Sequence, residues 1–310
     1  MDRKAGALIG ALVAAAAAMG FHWLYDQGRI AALAGGAPEF RAPNAADYLG
    51  ADGKPLGYFA HGGKRPGEPS HYGAQMLAMA TSLARAGAFD AEDYAKAFQE
   101  AFGHGGAWAG YIDRPTRATL DAMARAEGAL TGCGADDAQM PAVSKLPPLV
   151  VRHAGEVGLS AMVEKAVRVT NNRDDAAEWG AAVARMISAA LDGAAPEAAA
   201  AAARGVSAKI DAQIEGALAM RGKTSAEVAT AFALHCQLEM AFPVVIHLIA
   251  TAESFAAAAR ANILAGGDSC GRAIPMGAVL GACFAGDAER AIPPGWLARV
   301  SVPGALAALF

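Results

Sequence analysis

The sequence predicts an all-α fold in one domain, and three observations carry the prediction. Hydrophobic residues make up 54% of the 310-residue chain against 18% charged, a balance that excludes disorder and supplies a sizeable core. The apolar excess is largely alanine while aromatic residues are only 7%, so helices are expected to approach closely over small side chains. Helical spacing recurs along the chain and period-two alternation is nearly absent, which leaves strand-rich folds without a signal.

The first element is the apolar stretch 5–21. Met1-Asp2-Arg3-Lys4 ahead of it imitates an export signal. Its Ala/Gly composition, and its direct run into His22-Trp23-Leu24-Tyr25-Asp26, predict a first core helix rather than an export signal or a membrane span. Helices are then predicted over 74–86, 91–102, 116–130, 161–169, 176–191, 196–204, 208–220, 225–240, 244–250, 254–264 and 273–285. Asp90, Pro115-Thr116 and the Thr224/Glu227 capping-box spacing mark starts, and Gly87, Gly193, Gly222 and Gly266-Gly267 mark stops. Three irregular stretches remain, 35–70, 103–114 and 132–148, of which the first is long enough to be expected as a ligand lid. No break in composition divides the chain, so residues 1–310 are read as one domain, with 194–203 a plain alanine-rich surface helix.

Charge and cysteines narrow the function. A net charge of −4 without a long basic run excludes a nucleic-acid partner. Cys133, Cys236, Cys270 and Cys283 are widely spaced with no CxxC pair, which predicts reduced thiols in a cytoplasmic protein.

The most informative stretch runs from Asn262 to Arg272. A helix ends in Gly266-Gly267, a carboxylate follows, and the next helix carries Gly277 and Gly281. Adjacent glycines and a helix start offer backbone amides to an anion, so Asp268, Ser269 and Arg272 stand where a phosphate-bearing ligand is gripped, unless Asp268 is a plain N-cap, which the pattern alone favours.

With "GALIGALVAAAAAMGFHWLYD", "SHYGAQMLAMATSLA", "WAGYIDRPTRATLDAM" and "ANILAGGDSCGRAIPMGAVLGACF", closing on Ile292-Pro293-Pro294-Gly295-Trp296, the chain resembles the ADP-ribosylglycohydrolases from about Gly6 to Trp296, in order. Its "HW.YD", "HYG.Q" and "GGD...R" forms, and "GADDAQMPAVSKLPPLV", are similar to the branch that includes the J-type crystallins. The resemblance implies a single-domain orthogonal helical assembly with two magnesium ions in a central cleft, holding the ribose of an ADP-ribosyl group while water cleaves an N- or O-glycosidic bond. It also implies a small-molecule ADP-ribose-type ligand or an ADP-ribosylated substrate as partner.

Magnesium requires converging oxygens, and this sequence departs from the family at each place that supplies them. The alanine run 14–18 aligns with the first carboxylate motif, His71-Tyr72-Gly73 with the second, and Asp268-Ser269-Cys270-Gly271 with the last, where only Asp268 keeps its carboxylate. The expected site is therefore depleted, with at most one divalent cation, magnesium in the family, left for Asp268 to touch. Tyr72, Gln75, Gly266, Gly267, Ser269, Arg272 and Asn262 are expected to line the cleft.

Other chemistry stays open. His71, Asp268 and Cys270 together offer nitrogen, oxygen and sulfur donors that suit zinc, or set Cys270 as a nucleophile with His71 as base. Either arrangement competes with a Cys270 that only packs. Asp136-Asp137 is an acid–base or cation-binding pair if it reaches the cleft, and a solvated loop pair otherwise. His22, Tyr25 and Asp26 are expected on one helical face, as a ligand contact or an aromatic cluster closing the first helix. Trp108, Tyr111 and Asp113 offer a stacking surface or a pinned loop. His235 and His247 read as core histidines, and Met76 and Met79 as core filler. Three functions follow: an enzyme with a rebuilt site, a binding protein that has lost turnover, or a crystallin-like structural protein.

Overall fold

Alanine and glycine build the centre of the molecule. In the computed structural model, which describes residues 1–310, the first helix α1 (Arg3–Ala18) starts at Asp2, whose carboxylate accepts from the Ala5 amide. Helices α2 (Gln27–Ala34), α3 (His71–Ala86), α4 (Ala91–Phe102) and α5 (Arg114–Arg125) follow. Next come α6 (Pro141–Ser144), α7 (Leu146–Arg152), α8 (Leu159–Thr170), α9 (Asp174–Leu191), α10 (Pro196–Ala201) and α11 (Ala208–Ala219). The chain ends with α12 (Ser225–Phe232), α13 (Leu238–Ala250), α14 (Phe255–Leu264), α15 (Ser269–Cys283), α16 (Pro294–Leu297) and α17 (Gly304–Ala307). Extended pairing is limited to four isolated bridges, so the fold is all-α as predicted.

The most extensive contact joins α1 to α15. A Cβ on Gly10 would stand 2.3 Å from the Gly277 carbonyl oxygen, and one on Gly281 would stand 2.1 Å from that of Gly6; only glycine permits backbones this close. The alanine run 14–18 continues the same contact and is wholly buried. Around this pair, α3, α7, α9, α13 and α14 close a core of 82 buried residues. Residues 3–21 have the length and apolarity to cross a membrane, yet 89% of the 18-residue apolar window within them lies inside the fold.

Three departures from the sequence reading bear on the site. Residues 225–240 do not form one helix: α12 stops at Phe232, Ala233 takes φ +73, and α13 starts afresh at Leu238. Backbone bonds from Met140 to the Cys236 carbonyl (2.9 Å), from Leu238 to that of Ala138 (2.9 Å) and from Asp268 to that of Leu234 (3.1 Å) hold the break open against local helix preference. His22, Tyr25 and Asp26 share no helical face, because α1 ends at Ala18 in a 3-10 turn and Asp26 caps α2 instead. Residues 132–148, expected irregular, contain α6 and the start of α7, each with proline in its first turn, where the missing N–H costs nothing.

Candidate functional site

Asp268 is the point to which the site converges. It is the N-cap of α15: its Oδ1 accepts from the Gly271 amide at 3.1 Å and from His22 Nε2 at 2.9 Å. The Tyr72 hydroxyl donates to its Oδ2 at 3.1 Å. Asp268, His22 and Tyr72 are all fully buried. Burial raises the Asp268 carboxyl pKa, opposed by Arg272.

Arg272, one turn into α15, commits Nε and Nη2 inside the fold and leaves Nη1 buried without a partner. Its Nε donates to Asn262 Oδ1 at 2.9 Å, and its Nη2 to the carbonyls of Asn262 at 3.2 Å and Gly266 at 2.5 Å. Gly266 and Gly267 take φ +72 and +62, and their amides are spent on the carbonyls of Ile263 and Leu24. The expected anion grip is therefore internal wiring: guanidinium and amides brace the turn that delivers Asp268. Ser269 does the same, its hydroxyl on the Ala18 carbonyl and its own carbonyl accepting from Asn262.

Three histidines meet beside Asp268. His22 follows the 3-10 turn Met19–Phe21, His61 comes from the long irregular stretch, and His71 opens α3 under the Ser70 cap. Since His22 Nε2–H donates to Asp268, its Nδ1 is the acceptor in the 2.8 Å contact with His61 Nε2. His71 is buried with no hydrogen-bond partner for either ring nitrogen; its Nε2 lies 3.4 Å from Asp113 Oδ2. Burial holds all three imidazoles well below their ordinary pKa, with the positive charge of Arg272 adding to the effect at His22 and the neighbouring histidines at His61 and His71.

An aromatic cover closes this cluster. Trp23 sits at φ +63, its amide on the Gly267 carbonyl and its own carbonyl accepting from Tyr58. Its ring meets Tyr111 at 5.1 Å and Tyr58 at 5.8 Å between centroids. Tyr58 is 54% exposed and forms the outer surface of the cover.

A second polar arm leads inward from Asp113, the N-cap of α5. Its Oδ1 accepts from the Thr116 amide at 2.8 Å, while Gln75 Nε2 bonds Thr116 Oγ1 at 3.0 Å and approaches Asp113 Oδ2 at 3.4 Å. Burial pushes the Asp113 carboxyl up to about 6. Beyond it Lys145, fully buried, donates to the Thr170 hydroxyl and to Asn171 Oδ1, and burial lowers its ammonium to about 7. Asp137 is buried too, accepting from the Gln139 amide at 2.8 Å, from Gln139 Nε2 at 3.0 Å and from the Arg114 guanidinium. Its neighbour Asp136 points out, 91% exposed and 3.7 Å from Arg173.

The remaining candidates separate. Cys270 Sγ donates to the Ala15 carbonyl at 3.5 Å and forms no hydrogen bond with His71. Burial, reinforced by Asp268, lifts its thiol well above the ordinary range, the opposite of what a nucleophile requires. Trp108 lies apart from the cover, its indole N–H on the Tyr111 carbonyl and the Lys64 ammonium over its ring. Sequence reasoning passed over His61 and Lys145. His61 carried one signal, a histidine before Gly62-Gly63 in a loop too long to be mere connection. Lys145 carried none, since a buried lysine and a solvated one look alike in sequence.

An all-helical domain with a buried polar centre, seated on the N-terminus of the helix that its glycine-lined first helix packs against, is the class that fold and site define. The chain belongs to the ADP-ribosylglycohydrolase family, whose model matches residues 1–309. It is 25% identical over 314 residues to Crystallin J1A of Tripedalia cystophora, covering 97% of this chain and 92% of that one. A solved ADP-ribosylglycohydrolase-related protein complex shares the fold at TM-score 0.70 and 20% identity, over 99% of this chain and 95% of its own.

Proposed function

We propose that this chain is a divergent ADP-ribosylglycohydrolase-family protein that binds an ADP-ribosyl or related nucleotide-sugar group at the Asp268 centre and lacks the family's paired magnesium ions. One observation carries the binding reading. Of the eight buried side-chain nitrogen and oxygen atoms without a hydrogen-bond partner, six belong to Trp23, His61, His71, Gln75 and Arg272, all in or against this centre. Each costs about 1–3 kcal/mol left unpaired, so a fold selected only for stability gains by replacing them with apolar side chains. A ligand that supplies hydroxyls and ring nitrogens gives them partners.

The donor set speaks against two magnesium ions. A magnesium ion takes near-octahedral oxygen ligands at about 2.0–2.1 Å. Both oxygens of Asp268 are already held by His22, Tyr72 and Gly271. The alanine run 14–18 is buried against α15 and brings no donor, and His71 contributes nitrogens to the second position. Entry is through the Tyr58 and Tyr111 cover, whose rings provide stacking faces for a base. All four cysteines are free, which fits the cytoplasm.

A crystallin-like structural role is the second reading, favoured by the relationship to Crystallin J1A. Calorimetric titration with ADP-ribose, run with magnesium and again with chelator, tests both. Equal affinity in the two runs, falling at least tenfold in Tyr111→Ala, is expected. Binding that requires magnesium overturns the depleted centre, and absence of binding in both runs leaves the structural role.

A further inference from the structure

We infer that His22, His61 and His71 form a binding site for one divalent transition-metal ion of the zinc class, with Asp268 orienting the first of them. One ligand nitrogen from each lies within 4.8 Å of the other two, and all three side chains are buried. Zinc bound tetrahedrally at about 2.0–2.1 Å from nitrogen sets its donors roughly 3.4 Å apart. The closest pair here, His22 Nδ1 and His61 Nε2, is at 2.8 Å, so small side-chain rotations bring the three onto one centre.

The tautomers are set for it. His22 Nε2–H is committed to Asp268 Oδ1 at 2.9 Å, which leaves the Nδ1 lone pair pointing at the centre. That carboxylate is itself fixed by Tyr72 and Gly271. A carboxylate, a histidine and then the metal is the arrangement by which proteins orient imidazole ligands and raise their basicity. His71 repeats it in looser form, with Asp113 Oδ2 3.4 Å from Nε2 and Nδ1 left free.

An independent observation points to a missing partner. Both nitrogens of His71 are buried without a hydrogen bond, an expense that an ion relieves at the nitrogen that ligates it. On binding, His61 moves its proton from Nε2 to Nδ1, so three neutral imidazoles ligate without net proton release. Nitrogen donors alone select zinc, cobalt, nickel or copper over magnesium and calcium. This inference stands whether or not the ADP-ribosyl reading does, since its test uses the metal alone.

The full-length chain, stripped with chelator, is titrated with Co2+ while its visible ligand-field absorption is followed, and Zn2+ is then added. Expected are tetrahedral cobalt bands that saturate at equimolar metal and are bleached by zinc. They should vanish in His61→Gln and in His71→Gln and persist in His104→Gln, an exposed histidine. Asp268→Asn should weaken zinc about 10–100-fold. Far-UV circular dichroism verifies that each variant is folded, and His61→Gln, on a loop, is the one least exposed to that objection. Absence of cobalt bands from the wild type, or bands that survive both His61→Gln and His71→Gln, overturns the site.

Discussion

Arg272 and Lys145 are both buried cations, and their opposite surroundings lead to opposite predictions. Arg272 spends its fork on Asn262 and Gly266, a planar geometry that lysine does not reproduce. Arg272→Lys should therefore cost about 3 kcal/mol, measured by urea unfolding, because a buried charge is left with fewer partners. Lys145 has only neutral oxygens in reach, those of Thr170 and Asn171, with the Asp113 charge beyond them. Its folded pKa of about 7 lies below the ordinary 10.5, so the unfolded chain binds the extra proton between those values. The Lys145 contribution is present above pH 10.5 and lost as pH falls towards 7. Lys145→Met removes that penalty, and its stability advantage over the wild type should shrink by about 2 kcal/mol between pH 7.5 and pH 9. Equal differences at the two pH values would place the ammonium in water.

At the level of elements, the seam between α1 and α15 carries the fold. Gly10 stands against the backbone of Gly277, and neither atom is the mobile end of a side chain. Gly10→Ala should cost about 3 kcal/mol or more in urea unfolding, the overpacking penalty where the neighbour cannot yield. Gly222→Ala, with open space around it, should stay within about 0.5 kcal/mol. Most helices were legible because their caps are local: Asp90, Thr224 and Ser254 each bond an amide three residues ahead. The interruption at Ala233 was not, since bonds from residues 138–140 and 268 impose it and the local sequence reads helical on both sides.

Across the whole molecule, the candidate centre joins residues 22, 61, 71, 113 and 268, brought together by the ends of α1, α3, α5 and α15 and by one long loop. A ligand that fills this centre links those segments and stabilises the native state alone. ADP-ribose at 100 times its Kd should add about 2.7 kcal/mol, seen as a higher thermal midpoint that Tyr111→Ala loses at the same concentration. An unchanged midpoint at saturating ligand would count against the binding reading.

Composition, helix punctuation and ordered motifs determined the helical class and the family, and they singled out Asp268 and Tyr72, whose side chains the structure joins by a hydrogen bond, because alanine content, caps and glycine spacing act over a few residues and are written locally. The tertiary structure decided the rest: that Arg272 and the glycines brace a turn, that Asp136 and Asp137 part company, and that His61 joins His22 and His71. Each depends on which distant backbone or side chain arrives to desolvate a polar group or to bond it. Burial and partnership are properties of the assembled chain, and no single stretch of sequence contains both members of the pair.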